Sequence, residues 1–186
     1  EELKAKEGLM DFSDLIANTL KLFRERKNIL LEYQDKFKYV LVDEFQDTNY
    51  SQNELAILLS GKTQNINVVG DDDQAIYRWR GAAISNILQF KENFPKTKIV
   101  VLTKNFRSTQ KILDKSYTLI QNNNPDRLEV KEKINKKLIS SRRIAGDEIK
   151  FIFTDRVENE AEKVTEEIKN LIKTKRYDYK DFAILV

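Results

Sequence analysis

The chain has 186 residues, 40% of them hydrophobic and 34% charged, with a formal net charge of +3. That length suits one ordinary domain, or one domain and part of a second. Neither Cys nor His is present, which excludes disulfides, thiolate or His-ligated metal centres, a Ser-His-Asp triad and a histidine general base.

Chemistry on this chain must therefore use carboxylates, Arg, Lys, Gln or Tyr. No run approaches the roughly 18 apolar residues of a membrane span, and no signal-like segment opens the sequence. The expectation is a cytoplasmic protein without membrane contact. Charge is uneven. Seven acids face one base, Lys62, between Asp43 and Asp73, whereas seven bases face two acids between Arg127 and Arg143. The acidic block would repel a polyphosphate unless a cation lies between them. The basic block suits either a solvated linker or a nucleic-acid backbone.

In chain order, Met10–Arg26 carries Phe12, Leu15, Ile16, Leu20 and Phe23 at helical spacing, with Asp11 or Ser13 as N-cap. Asn28–Tyr33 reads as a shorter helix leading to a buried strand at 39–42. Ser51 starts another helix, with Glu54 placed for a capping box. Ile66–Val69 is a second strand ending at Gly70, Ile84–Phe94 a helix stopped by Pro95, and Lys98–Leu102 a third strand. Ser108 caps a helix to about Asn122. Residues 123–147 read as a lysine-rich linker or crossing. Then follow a strand at Glu148–Thr154, an amphipathic helix at Asn159–Thr174 and a strand at Phe182–Val186. Strands alternating with helices predict a parallel sheet in an α/β fold.

Three segments carry chemistry. The strand 39–42 ends in Asp43 and Glu44, followed by Gln46 and Asp47. Carboxylates at the carboxyl end of a buried strand stand where open α/β sheets bind ligands. One could hold Mg²⁺ while its neighbour accepts a proton from water; an acidic, solvated turn is the plain alternative. The second segment is Val68-Val-Gly-Asp-Asp-Asp-Gln-Ala-Ile-Tyr-Arg-Trp-Arg-Gly-Ala82. Its Gln74 offers donor and acceptor together, and Tyr77 and Trp79 interleaved with Arg suit base stacking. The third is Val101-Leu-Thr-Lys-Asn-Phe-Arg-Ser-Thr109, which brings Phe106 and Arg107 to a loop before a helix. Arg107 could clamp a phosphoryl group there.

In this order and spacing, the three segments resemble the UvrD/Rep/PcrA-type superfamily 1 DNA helicases. Met10-Asp-Phe-Ser-Asp-Leu-Ile16 and Asp181-Phe-Ala-Ile-Leu-Val186 are similar to further elements of that family. The resemblance implies a three-layer RecA-like (P-loop NTPase) parallel sheet with flanking helices, incomplete here, plus the start of a second such domain. It divides the chain into 1–122, the rest of the first motor domain; 123–147, a linker; and 148–186, the opening of the second.

By the same resemblance, Asp43 binds the Mg²⁺ of MgATP and Glu44 positions or activates the hydrolytic water. Gln74, Arg80 and Arg107 contact the γ-phosphate. Phe106 stands where the family usually has Tyr and stacks on adenine. Tyr77 and Trp79 stack on single-stranded DNA, and Gln46 and Asp47 couple the two sites. ATP and Mg²⁺ are the implied cofactors; single-stranded and duplex DNA, with repair or replication proteins, are the implied partners. The activity implied is 3′-to-5′ translocation and unwinding. A non-catalytic DNA-binding module and the motor of a RecB- or AddA-like nuclease remain alternatives.

The Gly-rich phosphate loop of these enzymes has no counterpart. Gly61-Lys62-Thr63 lacks the earlier glycine, since position 56 is Ala, and it follows a helix instead of a strand. It reads as a helix C-cap and turn. The expectation is an internal piece that does not hydrolyse ATP alone.

Overall fold

Local sequence signals set the helix starts. The computed structural model describes residues 2–77, 81–175 and 177–185. After the short helix α1 (Glu2–Glu7), α2 (Phe12–Glu25) begins at Asp11. Asp11 accepts from the Asp14 backbone N–H while the Asp14 carboxylate accepts from that of Asp11, a reciprocal capping box. The helix α3 (Lys27–Lys36) follows at once, and β1 is Val40–Val42. Next come α4 (Tyr50–Ser60) and β2 (Ile66–Val68). The cap of α4 is Asn49 with Gln52, not Ser51 with Glu54. Glu54 instead receives two hydrogen bonds from Arg24 of α2, at 3.0 and 2.5 Å. Asn49 has extended backbone, the geometry in which a side chain can cap, and so wins the position.

The two strands pair in parallel, Val40 opposite Ile66, Leu41 opposite Asn67 and Val42 opposite Val68. Gly61-Lys62-Thr63 forms the C-cap of α4 and a 3₁₀ turn, as the sequence indicates, with Gly61 at φ +53°. The expected helix at Ile84–Phe94 is two single turns, α5 (Ser85–Leu88) and α6 (Phe90–Asn93), meeting at Gln89. The break lets Ile87, Phe90 and Phe94 all face Phe45. Phe45 is completely buried, meets Phe90 edge-on at 5.5 Å, and has Val42, Ile66 and Val68 around the same cluster. Burying such a side chain contributes about 1.5–3 kcal/mol. It pins the residue directly after Glu44.

Lys98–Leu102 forms no strand and joins no ladder; the strand nearby is β3 (Lys104–Asn105), paired with β4 (Ile139–Ser140). Val100 and Leu102 stay 70% and 76% exposed. A run of β-formers favours a strand, but a strand also needs a neighbour that local sequence does not supply. The expected strands at Glu148–Thr154 and Phe182–Val186 likewise form no ladder over the described residues. The helix after Ser108 is α7 (Gln110–Ile120), continued by a 3₁₀ turn to Asn123. The lysine-rich stretch contains α8 (Leu128–Lys131) as well as β4, and α9 spans Val157–Lys175.

Two compact units emerge, one of Glu1–Lys104 with Ser116–Leu138, the other of Asn105–Lys115 with Ile139–Val186. In the first, Leu20 and Phe23 of α2 and Leu30 of α3 are buried, and the Phe23 and Tyr33 rings lie 5.4 Å apart. In the second, Ser141 N–H donates to the Asn105 carbonyl at 2.7 Å beside the β3–β4 pairing. No helix among the described residues is long and apolar enough to cross a membrane.

Candidate functional site

The chain turns sharply where β1 ends. Val69 N–H donates to the Val42 carbonyl at 2.8 Å, and Phe45 N–H donates to the Val69 carbonyl at 2.9 Å. Two acids are thereby lifted out between these anchors. Glu44 adopts the left-handed region at φ 47°, ψ 44°, a conformation that is costly for a residue with a Cβ. Asp43 Oδ1 accepts from Glu44 N–H at 3.0 Å, and both acids are exposed. The other Asp43 oxygen has no hydrogen-bond partner among the described residues. An exposed carboxylate with a free oxygen, next to a second acid, fits a hard divalent cation that also keeps waters and phosphate oxygens.

Gln46 ties this corner to the second motif. It is 1% exposed; its Oε1 accepts from Asp71 N–H at 3.0 Å and its Nε2 donates to Glu44 Oε2 at 2.8 Å. A backbone N–H can only donate, so the Gln46 oxygen must face Asp71 and its amide nitrogen must face Glu44. Gly70 makes the approach possible. A Cβ there would stand 2.7 Å from Gln46 Oε1 and 3.0 Å from Ile87 Cδ1. Gly70→Ala is expected to cost about 1–3 kcal/mol of stability through overpacking, read from urea unfolding of the purified chain. Unchanged stability would refute the close approach.

The acids of the second motif are held by the basic stretch. Lys136 Nζ lies 2.6 Å from Asp71, 2.5 Å from Asp72 and 2.8 Å from Asp73. Arg127, 3% exposed, makes two 2.7 Å bonds to the two oxygens of Asp73. Leu128 N–H donates to Asp72 at 2.7 Å. Burial alone would lower the Lys136 pKa, but its three carboxylate partners hold it well above the ordinary lysine value. Burial would likewise raise Asp73, yet bonds from Arg127 and Lys136 hold it below the carboxylate range. The bonds to Asp73 raise Arg127 in turn. Gln74 Nε2 donates to the free oxygen of Asp71 at 2.8 Å. The three aspartates could together ligate a metal. The lysine ammonium already fills their focus, which leaves Asp43 as the better candidate.

Downstream of the corner, Thr48 Oγ1 donates to the Phe45 carbonyl at 2.6 Å, and buried Asn86 donates to the Thr48 carbonyl at 2.9 Å. Asp47 keeps one buried oxygen without a partner among the described residues. Tyr77 is 40% exposed. Trp79 and Arg80 lie outside the described residues. In the second unit, Asn105 Oδ1 accepts from the N–H groups of Arg107 and Ser108 at 3.0 and 2.7 Å, an Asx turn that closes the loop. Phe106 and Arg107 are exposed on it.

Asp43, Glu44, Gln46 and Gln74 are thus joined through Asp71 within one unit, while Phe106 and Arg107 belong to the other. Sequence reasoning missed Arg127, Lys136 and Asn86. The opposite signs of the 43–73 and 127–143 blocks were the available signal for the first two. Nothing local marks Asn86.

Two acids thus stand raised at the end of a parallel strand with a glutamine network behind them, a place where open α/β sheets bind ligands. Residues 1–95 match the UvrD/REP helicase N-terminal domain and residues 100–186 the UvrD-like helicase C-terminal domain. The chain belongs to the UvrD/Rep helicase family. It is 41% identical to the ATP-dependent DNA helicase PcrA of Leuconostoc citreum over 99% of its length and 23% of that protein's. Identity to the ATP-dependent DNA helicase Rep of Escherichia coli K12 is 39%, over 96% of this chain and 25% of the relative. For Rep of Buchnera aphidicola from Acyrthosiphon pisum it is 41%, over 97% and 27%. The chain spans about a quarter of the length of these relatives.

Proposed function

We propose that these residues form the acidic wall of the ATP site in a DNA helicase that moves 3′ to 5′ on single-stranded DNA and unwinds duplex ahead of it. The observation that carries this reading is the bond chain Glu44–Gln46–Asp71–Gln74, which joins the first two motifs in one network. Asp43 holds Mg²⁺, whose charge would offset that of the phosphates. Glu44 orients the attacking water and accepts its proton. Gln74 reports on the γ-phosphate, and Arg80 and Arg107 offset charge developing there. Phe106 stacks on adenine; Tyr77 and Trp79 stack on bases of the DNA. Gln46 and Asp47 carry the state of one site to the other.

On this reading, residues 1–122 complete a three-layer RecA-like motor domain, 123–147 lead across, and 148–186 open a second. The working compartment is the cytoplasm, and the partners are ATP and single-stranded and duplex DNA, with repair or replication proteins beside them. Arg127 and Lys136, two of the seven bases in 127–143, have largely buried side chains committed to internal ion pairs, which weighs against a passive DNA-binding module.

Strand displacement by the complete protein encoded with this segment tests the reading. Duplexes with a 3′ single-stranded tail should open with MgATP, and 5′-tailed ones should not. Equal opening of both, or opening without ATP, would sink it. Residues 1–186 alone, lacking a phosphate loop, should leave ATP intact under the same conditions.

A further inference from the structure

Lys136 sits far from the helicase motifs in sequence, yet its ammonium meets all three aspartates that precede Gln74. Asp71 is the branch point. Its Oδ1 receives Lys136 and Asp73 N–H, its Oδ2 receives the Gln74 amide, and its own N–H reaches Gln46 and, through it, Glu44. The lysine is itself held. Its backbone N–H donates to Glu129 Oε1 at 2.9 Å, Glu129 pairs with Arg127 at 2.7 Å, and Tyr117 Oη donates to the same carboxylate. The Lys136 side chain is 13% exposed, so water screens these charges weakly.

Without a cation at their focus, three adjacent carboxylates repel one another, and the pair facing Gln74 loses its fixed direction. With the ammonium in place, Asp71 has one oxygen committed and one aimed at the Gln74 amide. Gln74 then keeps its carbonyl oxygen and one N–H for substrate. We infer that Lys136 is a positioning residue for ATP hydrolysis, acting through Asp71 to hold Gln74 in its working orientation. This rests on the reading of the Asp43–Glu44 corner as an ATP site.

The test is steady-state DNA-stimulated ATPase of the complete protein, with kcat and KM for ATP measured separately, for Lys136→Met, Lys136→Arg, Gln74→Ala and the double variant Lys136→Met/Gln74→Ala. Removal of an outer partner of this kind is expected to lower kcat by about 10- to 100-fold. KM should move little, and Lys136→Arg should recover part of the rate. The double variant should be no slower than Gln74→Ala alone, because both act through one amide. A wild-type kcat in folded Lys136→Met overturns the inference, as does a double variant whose losses multiply. If Lys136→Met does not fold, Asp71→Asn decides in its place: a kcat loss that does not add to Gln74→Ala supports the inference, and a wild-type rate refutes it. Glu44→Gln run in parallel separates the two levels. Full activity in that variant removes the ATP-site reading itself, whereas its loss with a normal Lys136→Met removes only the inference.

Discussion

If Glu44 is the proposed general base, exchanging it for Gln in the complete protein should lower DNA-stimulated kcat for ATP by about 10²- to 10⁴-fold, the usual contribution of such a group, with little change in ATP affinity. The amide keeps the shape of the carboxylate and one oxygen to accept from Gln46 Nε2, so the 2.8 Å bond that ties the corner together can survive. What it loses is the ability to take a proton from water. On the proposed reading, nucleotide binding relies on Asp43, on Arg80 and Arg107 and on a phosphate loop that is not among these residues, and none of these is altered. Titration with a fluorescent ATP analogue beside a coupled ATPase assay separates the two effects. A kcat within threefold of wild type would show that Glu44 is not the base.

Arg127→Ala should strongly destabilise the first unit, by about 3–5 kcal/mol, because it takes the buried bidentate partner from the part-buried Asp73 carboxylate. Arg127 makes both strong bonds to Asp73 and pairs with Glu129, and Lys136 alone cannot replace it. The dependence on pH follows from the directions of the shifts. Asp73 is held below its ordinary carboxylate value of about 3.9, so its contribution is present above that pH and fades as pH falls through the depressed value. Lys136 is held above its ordinary value of about 10.4, so its contribution is complete below that pH and fades only in stronger alkali. The wild-type ion-pair cluster should therefore contribute evenly across neutral pH. In Arg127→Ala, Asp73 loses its largest favourable partner, and acid sensitivity should begin at higher pH. Thermal melts at pH 4 to 9 check both statements; an Arg127→Ala melting point within a degree of wild type at pH 7 would disprove the first.

The segments that meet in the candidate site were legible because each is a short contiguous run. Asp43 and Glu44 end an apolar strand, Gln74 follows a glycine and three acids, and the order of motifs carries the family. Local caps were partly legible, since Asp11 works as expected while Asn49 displaces Ser51. Strand pairing was not. The segment 98–102 has the apolar, β-branched run of a strand but no ladder, because pairing depends on what lies alongside in space. The ion-pair cluster was hidden for a related reason. Lys136 lies 63 residues beyond Asp73, and a lysine-rich stretch looks the same whether its charges face solvent or buried acids. Only the imbalance of charge between the two blocks hinted that they belong together.

The left-handed backbone at Glu44 sets the best residue for folding against the best residue for chemistry. Gly or Asn would sit in that conformation with less strain, so either replacement should relax the turn while deleting the carboxylate. A screen that rewards heat resistance alone would favour sequences that have lost the carboxylate at this position. If Glu44 is the proposed base, thermostabilised variants should therefore be chosen by turnover as well as by melting temperature.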